Sequence, residues 1–282
     1  MQNLSWSGIF TVNPWGDLGS PGDPPRSGPP GGEMAGVSNN DVWGSSLDVF
    51  AIYGTGDTDA IFLDIKGYDA PRLVNVTHFF GGTGNDLIDL TSDRFTYGAA
   101  KIDGGSGNDW LLGNAGRDSL YGRSGSDYLK GYGGNDYLSG GDNNDRLYGG
   151  RGNDKLDGGS GNDYLYGEFG KDVLRGGAGR DKFVFDVSPS KSNMDTIADF
   201  SVRDDSVQLA RSIFTKVGGK GGLKEAAFWT GSSAHDASDR IIYNDDTGYL
   251  YYDRDGTGGA HQQAIAKLSK GLEMTHKDFF II

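Results

Sequence analysis

An aspartate returns at every ninth residue through the middle of this 282-residue chain: Asp109, Asp118, Asp127, Asp136, Asp145, Asp154, Asp163, Asp172 and Asp181. Five residues before each stands a glycine: Gly104, Gly113, Gly122, Gly131, Gly140, Gly149, Gly158, Gly167 and Gly176. Asp86 holds the same place in an isolated copy, GGTGNDLID, at residues 81–89. Glycine also recurs at the second and fourth positions of the nine. Glycine at positions 1, 2 and 4 permits backbone angles closed to residues with a Cβ, so such a turn can aim several carbonyls at one point. Carbonyl and carboxylate oxygens together are the ligands of a hard cation. Ca²⁺ accepts about six to eight of them in loose geometry, whereas Mg²⁺ demands a tight octahedron and holds its waters. Turn hydrogen bonding alone explains an occasional aspartate, but not the same one in nine consecutive units. The chain has no cysteine, which excludes thiolate metal sites and disulfides.

The nine units run without insertion or deletion over residues 104–184, from GGSGNDWLL to GGAGRDKFV. Position 8 is leucine in all but the last, where Phe183 takes it. Nine residues suit a six-residue turn and a three-residue strand, with two units to a coil and turns on both sides. The reading is an all-β fold, a right-handed parallel β-roll with irregular β caps at both ends. Coils stack about 4.8 Å apart, so unit i meets unit i+2. That pairs Asp109/Asp127, Asp127/Asp145, Asp145/Asp163 and Asp163/Asp181 on one side, and Asp118/Asp136, Asp136/Asp154 and Asp154/Asp172 on the other. At an effective dielectric near 20, two such charges repel by roughly 3–4 kcal/mol. A divalent ion between them reverses the sign, and roughly seven or more Ca²⁺ are expected, since nine units make about seven intercoil sites. Asn114, Arg123, Tyr132 and Glu168 replace glycine at position 2 and Asn143 at position 4, and those turns are expected to bind more weakly.

The rest of the chain frames this array. Residues 1–40 include a stretch, residues 13–32, that holds six of the eight prolines, a linker composition. Residues 41–103 show short apolar runs (LDVFAIYG, AIFLDI, RLVNVTHFF) that read as strands, stacked as irregular coils on the first turn of the array. Residues 90–103 form one longer coil between the lone unit and the nine. Residues 185–282 carry most of the remaining apolar material and form a cap of strands and turns, with a short helix expected at residues 222–228. The net charge of −13 argues against nucleic acid as a partner. No apolar run approaches the ~18 residues of a membrane helix, and no Sec-type signal is visible at the start.

The units resemble those of the RTX (repeats-in-toxin) family, bacterial β-roll proteins exported by type I secretion. DTIADFSVRDDSVQL at residues 195–209 is similar to the segment that closes the roll in that family, and Asp278-Phe279-Phe280-Ile281-Ile282 is similar to its ending. The resemblance implies a C-terminal, uncleaved export signal, a type I secretion apparatus as partner, and a secreted, extracellular or cell-surface location. It also implies a chain that stays unfolded at cytosolic calcium and folds outside. The function expected is a secreted calcium-binding β-roll protein without enzymatic activity, engaged in adhesion or matrix building with a cell-surface polysaccharide or protein partner. The alternative is the calcium-binding and secretion module of a larger or companion exported enzyme of glycanase, epimerase or protease type. A membrane-active protein is a third reading, which the lack of an amphipathic segment disfavours.

Other signals are set aside. Aromatics at position 7 (Trp110, Tyr128, Tyr137, Tyr164) and position 9 (Tyr121, Tyr148, Tyr166) offer a ladder for sugar rings, but strand packing is the simpler reading. Asp253-Arg254-Asp255-Gly256 begins like a calcium loop, yet an EF-hand needs glutamate where Ala264 stands, so a turn is expected. His78, His235, His261 and His276 are scattered, and neither HExxH nor GxSxG occurs.

Overall fold

The computed structural model describes residues 51–53, 60–62, 77–92, 98–256 and 262–282. The proline-rich stretch, His261 and much of residues 41–76 lie outside these residues.

Strands alternate between two sheets as the chain winds. One sheet takes His78–Thr83, Lys101–Ser106, Ser119–Ser124, Tyr137–Asp142, Lys155–Ser160 and Val173–Ala178 in order; the other takes Leu87–Asp89, Trp110–Leu112, Tyr128–Gly133, Arg146–Arg151, Tyr164–Phe169 and Lys182–Phe185. Every pairing within the array is parallel, and residue i faces residue i+18, as in Leu147 opposite Leu165 and Leu138 opposite Leu156. Two nine-residue units therefore make one coil, and the architecture is a β-roll. The lone unit at residues 81–89 stacks on the array with Gly82 opposite Gly105 and Leu87 opposite Trp110. Ala51–Tyr53 and Ala60–Phe62 extend the two sheets by one further parallel strand each.

The division within each unit differs from the expected six-residue turn and three-residue strand. Most array strands are six residues long, and only positions 4 to 6 turn. Positions 1 to 3 remain in the ladder because their amides and carbonyls pair with the next coil, for example Gly159 with Gly177 and Ser160 with Ala178. Side chains in a strand alternate sides, so position 8 and position 1 both face inward. The burial follows: in Tyr164–Phe169 the leucine and the glycine are buried while their neighbours are half-buried or exposed. Leu111, Leu129, Leu147 and Leu165 stack into one file and Leu120, Leu138, Leu156 and Leu174 into a second, one per sheet, all no more than 2% exposed.

Beyond the array the sheets run on into the cap. Asp195–Ile197 and Ser206–Leu209 add parallel strands, Ile197 carrying one file forward and Val207 the other. Phe279–Ile281 then pairs with Ser206–Leu209. In the other sheet Ile241–Asn244, Tyr249–Tyr252 and Gln263–Lys267 form an antiparallel meander. It buries Tyr243, whose hydroxyl donates to the Ser269 carbonyl at 2.6 Å. The helix expected at residues 222–228 is a single 3₁₀ turn, Glu225–Ala227, followed at once by the strand Phe228–Thr230. Gly221 and Gly222, in a short edge strand, leave too few helix formers for more.

Candidate metal centre

The aspartates at position 6 form two continuous ladders, one along each row of turns. In each, the backbone N–H of one aspartate donates to Oδ1 of the aspartate one coil on. Asp109 to Asp127, Asp127 to Asp145 and Asp145 to Asp163 each measure 2.8 Å, and Asp163 to Asp181 3.0 Å. On the opposite side Asp118 to Asp136, Asp136 to Asp154 and Asp154 to Asp172 measure 2.8 Å. The lone unit joins the first ladder, since the Asp86 N–H donates to Asp109 Oδ1 at 2.8 Å.

The second carboxylate oxygen is left over. Oδ2 of Asp109, Asp127, Asp136, Asp145, Asp154, Asp163, Asp172 and Asp181 is buried and accepts no hydrogen bond. A buried carboxylate oxygen without a partner costs several kcal/mol on the scale of ion desolvation, so a ligand is required. Beside each such oxygen lies a position-1 glycine. A Cβ built on Gly149 would meet Asp154 Oδ2 at 2.5 Å and the Gly167 carbonyl oxygen at 2.9 Å. Gly104, Gly122, Gly131, Gly140, Gly158, Gly167 and Gly176 face the Oδ2 of their own unit's aspartate in the same way. The missing Cβ thus lets one carboxylate oxygen and, at most of these seats, a carbonyl oxygen from the next coil close in beside the glycine. That donor set fits a hard cation. Among the described residues no point gathers three or more carboxylate, imidazole or thiolate groups, so backbone carbonyls must supply most of the shell.

This revises the role of the glycines. Left-handed backbone angles occur at positions 2 and 4, as at Gly150 (φ 109°) and Gly152 (φ 137°), but at none of the position-1 glycines. Where position 2 is not glycine the turn holds its shape regardless: Arg123, Tyr132 and Glu168 adopt φ of 80°, 72° and 64°, and Asn143 at position 4 adopts 78°. Such angles cost about 1–2 kcal/mol each. Arg123 offsets some of it with a forked contact to Asp103, its Nη2 donating at 2.7 Å. Asn114 behaves differently. Its N–H donates to Asp118 Oδ2 at 2.7 Å and its Nδ2 to Oδ1 at 3.2 Å. The seat beside Gly113 is therefore closed by protein hydrogen bonds.

Burial is the first cause of strain in the ladders, ahead of repulsion between neighbours. Desolvation pushes the Asp127 and Asp154 carboxyls up to about 6, Asp109 and Asp163 to about 7, and Asp136, Asp145 and Asp172 to about 8. Adjacent charges add to the rise at Asp136 and Asp145. Asp118 and Asp181 also rise to about 6. Without a cation Asp136, Asp145 and Asp172 hold protons at neutral pH; a divalent ion replaces those protons with charge.

Three features escaped the sequence reading. The ladders do not end with the array: the Asp172 N–H donates to Asp195 Oδ1 at 3.1 Å and the Asp181 N–H to Asp205 Oδ1 at 3.0 Å. Asp199 accepts from Gly176 and Gly177 at 2.9 and 3.0 Å. A parallel asparagine ladder runs along position 5, where Asn135, Asn144, Asn153 and Asn162 each accept the next coil's N–H at 2.7–2.9 Å. The recurrent Asn before Asp was its signal. The position-7 and position-9 aromatics stack on one another, Trp110 on Tyr128 at 4.5 Å and Tyr148 on Tyr166 at 4.3 Å. Their faces are therefore spent within the sheet. Asp253 makes the expected turn, its Oδ1 accepting from Asp255 and Gly256.

Fold and site together define a parallel β-roll whose turns offer stacked carboxylate and carbonyl oxygens to hard cations. Residues 96–183 match the RTX calcium-binding nonapeptide repeat in four overlapping copies, at 96–129, 103–138, 121–156 and 148–183. This stretch is an RTX repeat array, and calcium is the ion that such repeats bind. No curated protein gives a significant match to the chain.

Proposed function

We propose that this protein is exported unfolded by a type I secretion apparatus and folds when extracellular calcium enters its two aspartate ladders. It then serves at the cell surface or in the surrounding matrix as a non-enzymatic binding protein. The observation that carries this reading is the row of buried Oδ2 atoms with no partner, each close against a glycine whose missing Cβ lets a carbonyl oxygen of the next coil approach at most of the seats. Extracellular calcium modules bind at about 10⁻⁴–10⁻³ M, above cytosolic levels. The same ladders are therefore empty inside a cell and filled outside it. The C-terminal residues 185–282 close the roll through Asp195 and Asp205 and, on this reading, also carry the export signal.

Calcium titration of the full chain tests the first step. Circular dichroism is expected to pass from coil to β between micromolar and millimolar Ca²⁺, with several ions counted by calorimetry. A chain equally folded in chelator and in calcium refutes it. Co-expression with an ABC exporter, with and without residues 185–282, tests the second. Equal release of both forms into the medium refutes the export reading.

A further inference from the structure

Position 3 of the repeat is small in most copies: Ser106, Ala115, Ser124, Gly133, Ser160 and Ala178. Asp142 is a modest exception. Two consecutive coils depart strongly, with Arg151 and Phe169 directly opposite each other on adjacent strands. The Arg151 guanidinium lies 5.2 Å from the centre of the Phe169 ring. Phe169 is 51% exposed, more than any other large apolar side chain among the described residues. The roll closes with serine, alanine, glycine or aspartate at this place elsewhere, so its folding does not explain the pair.

Both side chains line a cavity of about 700 Å³, within the range of small-molecule sites. Its far wall is the excursion at residues 186–194, which leaves the last repeat before Asp195–Ile197 begins. The excursion is fixed in place, since the Gly170 N–H donates to Asn193 Oδ1 at 2.8 Å and the Asn193 N–H to the Ser190 carbonyl at 3.0 Å. Asn153 and Asn193 line the cavity with their amide oxygens already engaged by Lys171 and Gly170. Their NH₂ groups remain as donors. Asp186, also in the lining, has a buried Oδ1 that accepts no hydrogen bond. A half-exposed ring, two amides and the half-buried Asp186 side chain line one space.

We propose that this cavity binds a saccharide, one neutral pyranose unit of a glycan whose apolar face lies on Phe169. Its hydroxyls, each donor and acceptor at once, bridge Asp186 and the amides of Asn153 and Asn193. A neutral sugar is favoured because the Asp186 carboxylate repels a uronate and the Arg151 guanidinium is engaged over the ring. The proposal adds a ligand to the surface-protein reading and rests on it only for biological setting.

Saturation-transfer NMR on the calcium-loaded full chain tests it, with glucose, galactose, mannose and N-acetylglucosamine as probes and galacturonate as the charged comparison. Phe169→Ser restores the residue type of other copies, and Asp186→Asn keeps shape while removing the acceptor charge. At least one neutral sugar is expected to bind, about tenfold or more weaker in each variant, the equivalent of one lost charged hydrogen bond. The calcium midpoint and circular dichroism of both variants are expected to match the parent. No neutral sugar bound, galacturonate alone bound, or unchanged affinity in the variants overturns the proposal. A missing calcium transition counts against the folding reading alone, and missing saturation counts against this cavity alone.

Discussion

Replacing Gly149 by alanine places one methyl group in an ion seat. The backbone accepts it, because Gly149 is outside the left-handed region. The space does not: the methyl carbon would lie 2.5 Å from Asp154 Oδ2 and 2.9 Å from the Gly167 carbonyl oxygen, against an ordinary contact of about 3.5 Å. Either the carboxylate swings out of the seat or two coils part. Overpacking of this kind costs roughly 1–3 kcal/mol, and losing one seat removes about 1.4 kcal/mol of calcium linkage at ten times Kd. Stiffening the unfolded chain returns about 0.4–1 kcal/mol, leaving a loss of about 1.5–4 kcal/mol. Gly133→Ala is the control. Its Cβ would find nothing nearer than the Ala115 Cα at 3.7 Å, so a gain of about 0.4–1 kcal/mol is expected. Thermal unfolding in calcium and calorimetric ion counting read both. A Gly149→Ala protein with the parent's ion count and midpoint would refute the idea that position 1 is glycine to make room for the ion.

Asp145→Asn should act with opposite signs in two buffers. In chelator it relieves a buried unpartnered oxygen and stabilises the roll by about 1–3 kcal/mol; in calcium it removes a ligand and lowers the melting temperature. Destabilisation in both buffers would count against an ion at that oxygen. In chelator, stability should also depend on pH. Folded carboxyls raised from 3.8 to about 6 at Asp127 and about 8 at Asp145 hold protons that the unfolded chain has released. Stability is therefore fullest below pH 3.8 and falls as pH climbs through about 6 to 8, a slope that calcium should flatten. Leu147→Ala, in the fully buried file, should cost about 2–5 kcal/mol in calcium by leaving a cavity. A loss under 1 kcal/mol by thermal melting would mean that the coils collapse around it.

The period made the roll legible. A strict nine-residue repeat with an inward leucine admits few arrangements, and the i to i+18 register of Leu129, Leu147 and Leu165 is the one it implies. The aspartate pairs were legible for the same reason. What the period hid was the division of labour among glycines, since one residue type answers two needs. At positions 2 and 4 it takes a left-handed backbone, which Tyr132 and Asn143 also manage. At position 1 it leaves a space that only a missing side chain provides. Asp195 and Asp205 were illegible because the spacing breaks, 23 residues from Asp172 and 24 from Asp181. The Asn114 contacts depend on a local turn that the alignment of units treats as one more copy.

The ladders have a direction, and it gives the cap a defined role. Each aspartate N–H is satisfied by the carboxylate of the following coil, so every coil is secured from its C-terminal side. The last two repeats have no following repeat, and Asp195 and Asp205 of the cap take that place. Asp205→Ala should therefore leave the buried Asp181 N–H without its acceptor, at a cost of about 1–3 kcal/mol. Unlike Asp145→Asn, the loss should appear in chelator and calcium alike, because the bond broken is a backbone hydrogen bond. Hydrogen exchange would locate it: faster exchange at Asp181 and along Lys182–Phe185 is expected, with the Leu87–Asp89 end unchanged. Uniform protection across the last coils would mean that the cap closes the roll by apolar packing of Phe183 and Val207 alone.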